Sequence, residues 1–456
     1  MPKTFTPWEY QRRGADWLKD RNAAALFAGM GLGKSAMTLL SMDELMCDGA
    51  SKGALIVAPL RVSVLTWPRE IAKWENFKWM KIALLRTPEG VKAWKDGSAD
   101  IYLLNYERIP QFCKQCLHGR RKTQMPVDTV VWDELSKAKN PSSKRINTFR
   151  HYRGRFDRHW GLTGTPTPNG YEDLFAQVRL LDDGKALGKG ITAFRDNFFK
   201  PENPHAEHSK LVPLDGTKGY LERKLSDLAL VLRSEDYLDI PPTNTIDIDV
   251  PLPKDAKRVY EEMLKEFLAE LKNTQEIEAA NAGVRVNKLI QITSGAIYDE
   301  EKVVHHIHNN KVKALQKLQK ELKEPLLVVT RYRHEQARIL EACPGAELFD
   351  EGSIDRWNAG KIKMIVAHPL SIGHGIDGLQ EGGRTVVWFS PTYSADEYNQ
   401  MNARLARTGQ GQETNVYRLL SPGTIDDAAI EVVEGKVEGE KGFLRAVKNL
   451  QMLAAV

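Results

Sequence analysis

The chain has 456 residues, 42% of them hydrophobic, and a formal net charge of +5, which permits a polyanionic partner without requiring one. A chain of this length and apolar content can bury at least two substantial cores, so we expect two or three domains. No apolar run approaches bilayer-spanning length, the N-terminus lacks a signal-peptide profile, and four cysteines make no disulfide scaffold, so we expect a cytoplasmic protein without a membrane partner.

Four short apolar runs near the N-terminus predict buried β-strands, at 53–59, 101–106, 129–134 and 159–165. Longer, helix-patterned segments separate several of them, which is typical of a parallel sheet covered by helices. Each run ends in polar or conformationally special residues. Because ligands of open α/β sheets bind outside the carboxyl ends of the strands, we expect these ends to line one crevice.

The sequence ALFAGMGLGKSAMTLL predicts a strand, a glycine-rich turn and a helix. Gly31 and Gly33 let backbone N–H groups wrap a phosphate, and the helix N-terminus adds its dipole. Lys34 then reaches the outer phosphates, and the Ser35 hydroxyl ligates Mg²⁺. The first position of the pattern G-x-x-x-x-G-K-[ST] is Ala28 instead of glycine, so a glycine-rich turn that precedes Lys-Ser by chance is the alternative.

The run TVVWDE ends in two adjacent carboxylates, Asp133 and Glu134. Mg²⁺ prefers oxygen ligands and keeps several waters, so Asp133 can hold it through those waters. Glu134 is then placed to orient and deprotonate the attacking water. A pair of solvated strand-end acids is the alternative, and the phosphate-binding loop upstream makes it the weaker one.

The sequence NQMNARLARTGQ predicts a helix with a polar face and an apolar face. Ser394 and Glu397 have the spacing of a capping box, and Gly409 suits a helix stop. Helical spacing groups Gln400, Arg404 and Arg407 on one face, and Tyr398, Met401 and Leu405 on the opposite, core-facing side.

The two arginines of this segment have a candidate role in phosphoryl transfer. A supplied guanidinium stabilises the charge that develops on the γ-phosphate, by roughly 10³–10⁵ in rate. If Arg404 and Arg407 belong to a second α/β unit and face the same nucleotide as Lys34, ATP bridges the two units. The alternative is a solvated basic face.

Several segments, taken in order, carry a family resemblance. AGMGLGKS, WDELSKAKN, LTGTPTPN and QMNARLARTGQ resemble motifs I, II, III and VI of superfamily 2 helicases and, within that group, of the SNF2 branch. Further similar segments are the adenine-contacting entry (7–18), motif Ia (57–74), motif Ib (103–109), the stretch bridging two lobes (232–252), motif IV (326–340), motif V (366–380) and the tail of the second lobe (417–430). The compact length and the sequence DELS, in place of DEAH or DEGH, resemble stand-alone versions carried by bacteriophages.

The resemblance implies an α/β fold of two tandem RecA-like lobes, each a parallel sheet flanked by helices, with a helical insertion between them. We expect an N-terminal ATP-binding lobe at 1–182, a helical insertion and linker at 183–310, and a C-terminal helicase lobe at 311–456. The Pro-rich stretch 239–244 is the expected linker. The nucleotide is expected in the cleft between the lobes.

The same resemblance implies a DNA-stimulated ATPase that uses ATP and Mg²⁺. The implied catalytic residues are Lys34, Asp133, Glu134, Arg404 and Arg407, with Ser35 and Asp133 as magnesium ligands. The implied nucleotide contacts are Gln11, Gly29, Met30, Gly31, Leu32, Gly33, Lys34, Ser35, Gly375, Asp377 and Gln400. Two departures from the family pattern are Leu135-Ser136, which replace a small residue and a histidine, and the histidines His368 and His374 of motif V.

The implied partner is DNA, in duplex or branched form, gripped mainly through its phosphates. The implied phosphate contacts are Arg61, Asn105, Thr165 and Thr330. Some relatives move along duplex DNA and others unwind it, and the sequence leaves both open. A clamp that switches on DNA without moving is a further alternative. A small-molecule P-loop kinase or transport ATPase would leave the motifs LTGTPTPN and QMNARLARTGQ without a purpose.

Two short clusters permit a metal site. Cys113, Cys116 and His118 lack a second cysteine pair at zinc-finger spacing, so a basic surface loop is the preferred interpretation. His305, His306 and His308 could ligate a metal, and a polar strand or turn is the preferred interpretation.

Overall fold

The computed structural model describes residues 3–167, 170–202, 211–273, 279–350, 352–372, 378–407 and 409–435. The chain forms two compact units, Met1–Leu238 (unit 1) and Asp239–Val456 (unit 2). The division falls at the start of the Pro-rich stretch 239–244.

Unit 1 alternates strands and helices along most of its length. Its strands are β1 (Ala23–Ala28), β2 (Ala54–Ala58), β3 (Ile82–Leu84), β4 (Ile101–Asn105), β5 (Thr129–Asp133), β6 (Arg158–Thr163), β7 (Phe199–Pro201), β8 (Leu211–Pro213) and β9 (Ala229–Leu232). Its helices are α1 (Glu9–Lys19), α2 (Lys34–Cys47), α3 (Trp67–Lys73), α4 (Pro88–Asp96), α5 (Ile109–Phe112), α6 (Lys144–Arg150), α7 (Leu174–Asp182), α8 (Ile191–Phe198), α9 (Thr217–Leu225) and α10 (Ser234–Tyr237).

The main sheet of unit 1 has seven strands in the order β3-β4-β2-β5-β6-β1-β9, and every neighbouring pair is parallel. Strands β2 and β4 are buried at every residue, because a parallel sheet is covered on both faces. This burial explains why the sequence reads as continuous apolar runs there. The four predicted runs are β2, β4, β5 and β6. β7 and β8 form a separate antiparallel pair.

Unit 2 is also an α/β unit. Its strands are β10 (Thr243–Asp249), β11 (Ala296–Tyr298), β12 (Val304–His306), β13 (Leu326–Val329), β14 (Ala346–Leu348), β15 (Met364–Ala367), β16 (Thr385–Trp388) and β17 (Thr414–Leu420). Its helices are α11 (Lys254–Asn273), α12 (Ala279–Ser294), α13 (Asn310–Leu322), α14 (Arg333–Ala342), α15 (Ser353–Asn358), α16 (Pro369–Ile372), α17 (Ala395–Asn402) and α18 (Ile425–Val433).

The main sheet of unit 2 has six strands in the order β10-β17-β16-β13-β15-β14, all parallel. Strands β13, β15 and β16 are fully buried. β11 and β12 form an antiparallel hairpin outside this sheet. The predicted α/β class, with two parallel sheets flanked by helices, is therefore confirmed.

The middle segment 183–310 supplies elements to both units. β9 pairs with β1 in the sheet of unit 1, whereas β10 pairs with β17 in the sheet of unit 2. Helices α8 and α9 precede the division at Leu238, and the long helices α11 and α12 follow it.

Among the helices that the structure describes, none is both long enough and apolar enough to cross a membrane.

Candidate active site

The predicted phosphate-binding loop connects the end of β1 to the start of α2. β1 ends at Ala28 and α2 begins at Lys34, so the predicted strand, turn and helix are all present. Gly31 and Gly33 both have φ of +82°, in the left-handed region that glycine occupies without a Cβ penalty. Their conformation turns the backbone tightly just before the helix N-terminus, where a phosphate is favoured.

Side chains from outside the loop bind its carbonyl groups. Gln11 Nε2, on α1, donates to the Leu32 carbonyl at 3.3 Å, and Ser234 Oγ, on α10, donates to the Met30 carbonyl at 2.9 Å. The predicted adenine contact Gln11 thus lies against the loop itself. Lys34 Nζ donates to the carbonyls of Ala28 and Gly29, at 2.7 and 3.1 Å, so its ammonium group lies over the loop.

Asp133 is the last residue of β5, and its carboxylate is held by an indole. Trp67 Nε1, at the start of α3, donates to Asp133 Oδ2 at 2.9 Å. Burial and the neighbouring Glu134 raise the pKa of Asp133 to about 6, and the Trp67 indole and the Lys34 charge act in the opposite direction. Burial and the repulsion from Glu134 therefore outweigh the Trp67 indole and the Lys34 charge.

Glu134 has φ of +58° and ψ of +59°, a left-handed conformation that is uncommon for a residue with a Cβ. Its Oε1 accepts hydrogen bonds from Ser136 Oγ at 2.6 Å and from Thr163 Oγ1 at 3.2 Å. The Thr163 hydroxyl in turn accepts from the Thr165 N–H at 3.1 Å. These bonds fix the direction of the Glu134 carboxylate.

Three of these contacts could not be predicted from the sequence. Ser136 stands where the family has a histidine, and its hydroxyl binds Glu134. Thr163 lies within the motif LTGTPTPN. The order of the motifs along the chain indicates that this segment belongs to the site, but it does not indicate a bond from Thr163 to Glu134. Trp67 lies within the motif Ia segment, and the sequence of that segment does not indicate that the indole binds Asp133.

The strand order brings the loop and the two acids to one edge of the sheet. β6 lies between β5 and β1, with Leu162 opposite Asp133 and Thr163 opposite Phe27. A Cβ on Gly164 would lie 3.8 Å from Lys34 Nζ, so the chain after β6 passes directly beside the lysine. Unit 1 therefore brings Lys34, Asp133 and Glu134 together, as the predicted crevice requires.

Mg²⁺ fits the donors at this edge. Asp133 supplies a carboxylate whose pKa is raised by burial and by the neighbouring Glu134, and Ser35 supplies a partly exposed hydroxyl in the first turn of α2. Carboxylate and hydroxyl oxygens are the hard ligands that Mg²⁺ prefers. A magnesium ion held by Asp133 and Ser35 would supply positive charge to the phosphates of a bound nucleotide.

The motif VI segment departs from the predicted single helix. Ser394 caps α17 by accepting from the Glu397 N–H at 3.2 Å, but the return bond of the predicted capping box is not formed, because the Ser394 N–H donates to Thr392 Oγ1 at 3.1 Å. α17 ends at Asn402, however, so Arg404 and Arg407 lie in the turns that follow and the expected i, i+4, i+7 face is wrong beyond Asn402. Gly409 has the expected left-handed φ of +92°, several residues past the helix end.

Tertiary contacts explain the early end of α17. Trp388 Nε1 donates to the Asn402 side chain at 3.0 Å, and Gln410 Nε2 donates to the carbonyls of Gln380 and Gly383 at 3.2 and 3.0 Å. Between these two anchors the backbone tightens, with the Arg404 N–H bonded to the Met401 carbonyl at 3.1 Å. The predicted apolar side is correct: Met401 and Leu405 are fully buried, and Tyr398 packs on Trp388.

The remaining predicted nucleotide contacts lie in unit 2. Gln400 Nε2 donates to both carboxylate oxygens of Asp396 at 3.0 Å. Gly375 and Asp377 lie outside the described residues, as does His374. His368 Nδ1 accepts from the Leu370 N–H at 3.1 Å.

The predicted DNA contacts differ in exposure. Arg61 is exposed at the turn after β2, and Thr165 is partly exposed after β6. Asn105 is 6% exposed and donates to Glu107 at 2.7 Å. Thr330 is fully buried, and its hydroxyl donates to the Ala367 carbonyl at 3.2 Å. In this conformation the side chain of Thr330 does not reach solvent.

The two candidate metal clusters have other local roles. Cys113 and Cys116 are buried in the core of unit 1, and the exposed basic stretch begins only after them. His305, His306 and His308 bind three different partners, Asp299, Asn309 and the Ile292 carbonyl. Within the described ranges, no group of three or more His, Cys, Asp or Glu residues is arranged to hold a metal ion.

A family model described as the SNF2-related domain matches residues 10–324. The chain belongs to the SNF2-related family. The match begins just before Gln11 and spans the phosphate-binding loop, Asp133 and Glu134. It extends past the division between the two units and ends before β13.

Individual SNF2-related relatives differ in length. Protein p41 of Acyrthosiphon pisum secondary endosymbiont phage 1 is 32% identical, and the match covers 98% of this chain and 100% of that protein. The expected likeness to phage-borne versions is thus confirmed. An uncharacterized ATP-dependent helicase of Mycoplasma pneumoniae is 22% identical over 94% of this chain, which spans only 41% of that protein. The SWI2/SNF2 ATPase core of Sulfolobus solfataricus, solved in complex with dsDNA, is 19% identical, with a TM-score of 0.46 over 95% of this chain and 92% of its own.

Proposed function

We propose that this protein is an ATP-dependent DNA translocase of the SNF2 type, in which DNA stimulates ATP hydrolysis. The observation that carries the proposal is the meeting of Lys34, Asp133 and Glu134 at one edge of the parallel sheet of unit 1, in a chain of the SNF2-related family. A lysine, a magnesium-binding carboxylate and a base are the set that phosphoryl transfer to water requires.

The residues of unit 1 act on the triphosphate and the attacking water. The loop N–H groups and the ammonium of Lys34 bind the phosphates, after Lys34 exchanges its bonds to the loop carbonyls for phosphate oxygens. Glu134, held by the hydroxyls of Ser136 and Thr163, accepts a proton from the water that attacks the γ-phosphate. Its fixed direction lowers the reorganisation needed at that step.

Unit 2 supplies positive charge to the same step. In this proposal the guanidinium groups of Arg404 and Arg407 act on the γ-phosphate, where negative charge is largest in the transition state. Both arginines are partly exposed in the turns that follow α17, which supports the assignment.

DNA is gripped through its phosphates, with Arg61 and Thr165 as the exposed contacts. For Asn105 and Thr330, which are buried, we propose the supporting role of holding the ends of β4 and β13 in place. The free energy of DNA binding is then mainly electrostatic and depends little on the DNA sequence.

The test is ATP turnover with duplex, single-stranded and forked DNA and with RNA. We expect duplex or forked DNA to raise turnover strongly over the DNA-free rate. Turnover that no nucleic acid changes would contradict the proposal.

A triplex-displacement assay separates a translocase from a clamp. A translocase strips the third strand from duplex DNA in an ATP-dependent way, whereas a clamp hydrolyses ATP and leaves the third strand bound. A forked duplex in the same experiment reports strand separation.

A further inference from the structure

The segment that closes unit 1 is fastened to the phosphate-binding loop. β9 pairs in parallel with β1 as far as the pair Ala28 and Leu232. The Gly29 N–H then donates to the Leu232 carbonyl at 2.9 Å, and Ser234 Oγ donates to the Met30 carbonyl at 2.9 Å. The loop and this segment, which are about 200 residues apart in the chain, therefore share two consecutive hydrogen bonds.

The fit between the two backbones is close. A Cβ on Gly29 would lie 2.2 Å from Ser234 Oγ and 3.0 Å from the Ser234 nitrogen, so only glycine fits at that position of the loop. At the other end of α10, the Tyr237 ring packs on Tyr10 at 4.7 Å between centroids, next to Gln11. Unit 1 ends one residue later, at Leu238.

The bond to Met30 has a geometric consequence for the loop. In a trans peptide the carbonyl oxygen and the following N–H point to opposite sides. Because Ser234 holds the Met30 oxygen, the Gly31 N–H is directed away from α10. The bond from Gln11 to the Leu32 oxygen fixes the Gly33 N–H in the same manner. The Ser234 and Gln11 side chains, which lie outside the loop, thus orient the Gly31 and Gly33 N–H groups that can donate to a phosphate.

We propose that Ser234 is a positioning residue of the phosphate-binding loop: its hydroxyl sets the Met30–Gly31 peptide so that the Gly31 N–H meets the β-phosphate of the nucleotide. This inference rests on the proposed function, in that the loop binds ATP. Ser234 lies in the segment just before Asp239. A change in the loop on nucleotide binding is therefore transmitted to the chain that leads out of unit 1.

The first test needs no nucleotide. Ser234→Ala removes the hydroxyl, and we expect faster amide hydrogen exchange at residues 29–33 of the nucleotide-free protein. Ser234→Thr keeps a hydroxyl and should restore the slower exchange. The matched control is Ser226→Ala, because the Ser226 hydroxyl also donates to a backbone carbonyl, that of Arg223 at 2.8 Å, outside the loop. Equal exchange in wild type and Ser234→Ala overturns the inference.

The second test compares ligands that differ only in their phosphates. We expect Ser234→Ala to weaken ADP and ATP binding about three- to tenfold, the range that one net hydrogen bond provides, and to leave AMP binding unchanged. We also expect ADP to slow hydrogen exchange at residues 233–238 in the wild type more than in Ser234→Ala. If the wild type binds ATP and Ser234→Ala loses affinity equally for AMP and ADP, or for neither, the inference is overturned and the proposed function stands. A wild type that binds no nucleotide overturns the proposed function and this inference with it.

Discussion

At the scale of single residues, the proposed catalytic edge of unit 1 is built from backbone conformations and short polar contacts. The left-handed conformation of Glu134 costs about 1–3 kcal/mol. Such conformations occur mainly at functional sites, where the surrounding structure imposes them. Here the surrounding structure is visible, since Tyr106 OH donates to the Asp133 and Glu134 carbonyls at 3.0 and 3.2 Å. The carboxylate is therefore aimed by its backbone as well as by Ser136 and Thr163.

Glu134→Gln is the residue-scale prediction. The amide keeps the shape of the side chain but cannot take a proton, so we expect ATP binding to persist while turnover falls by about 10²–10⁴-fold. Fluorescent-nucleotide binding and phosphate release measure the two quantities separately. Glu172→Gln is the matched control, because that carboxylate of unit 1 pairs with Arg195. Near-normal turnover in Glu134→Gln would remove Glu134 from the role of base.

At the scale of elements, α17 and α14 depend on contacts that lie outside each helix. α17 stops at Asn402 because Trp388 and Gln410 anchor the chain on either side of the turns. α14 begins beside two aromatic rings, with the His334 ring at 5.1 Å from Tyr298 and 5.3 Å from Tyr332. The end of α17 is thus determined by packing against distant parts of the chain, whereas the start of α14 is also capped locally by Glu335 Oε2, which accepts from the Tyr332 N–H at 3.2 Å.

Arg407→Ala tests the turn after α17. Its contribution to a phosphoryl-transfer transition state predicts a loss of turnover of about 10³-fold or more, with only a modest change in nucleotide affinity. Arg356→Ala serves as the control, since Arg356 is a partly exposed arginine of unit 2 that pairs with Glu347 and Asp350. If both variants hydrolyse ATP like the wild type, Arg407 belongs to an ordinary surface.

His334→Phe tests the start of α14. Neither ring nitrogen of His334 has a hydrogen-bond partner among the described residues, so an apolar ring should leave the free energy of unfolding of unit 2 unchanged or raise it by about 1 kcal/mol. His159→Phe is the contrasting variant and should destabilise unit 1, because His159 Nε2 bonds the Arg153 carbonyl at 3.1 Å. Amide hydrogen exchange in each unit, measured at increasing urea concentrations, reports both effects.

The same variant has a defined pH dependence. Burial lowers the pKa of His334 to about 4 from an ordinary value of 6.5, so the unfolded chain binds the proton more readily than the folded one. Stability from the neutral ring is complete above pH 6.5 and is lost as pH falls towards 4. We therefore expect a shallower loss of stability in His334→Phe over that window. An identical pH profile would show that the ring titrates normally in the fold.

At the scale of the whole molecule, each of the two parallel sheets buries its central strands, whereas the edge strand β10 is mostly exposed. The net charge of +5 is small for the chain length, so in the proposed function DNA affinity comes from a few placed cations and not from a general basic surface. Arg61, which is exposed after β2, is the cation of unit 1 that we propose for this contact.

Salt dependence follows from this arrangement. If two or more phosphates are neutralised, DNA affinity should fall at least about tenfold between about 50 and about 200 mM salt. Arg61→Ala should lower the slope of log Kd against log salt by about 1, whereas Arg195→Ala, which removes an arginine paired with Glu172, should leave the slope unchanged. Binding that does not respond to salt would contradict phosphate recognition.

The sequence by itself determined the α/β class and the strand–turn–helix of the phosphate-binding loop. It also determined the cap at Ser394 and the core side of α17. These features are encoded locally, in apolar runs, in glycine positions and in spacings of three or four residues, so they can be read without knowing which parts of the chain meet. Family membership was visible for a related reason, because the order of the motifs is itself a property of the sequence.

Only the tertiary structure decided which side chains hold the site together. The bonds from Thr163 to Glu134, from Trp67 to Asp133 and from Ser234 to Met30 join residues separated by 29, 66 and 204 positions. The end of α17 at Asn402 likewise depends on Gln410 reaching the carbonyls of Gln380 and Gly383. No local pattern encodes such contacts, because they arise when the sheets align distant strand ends along a common edge.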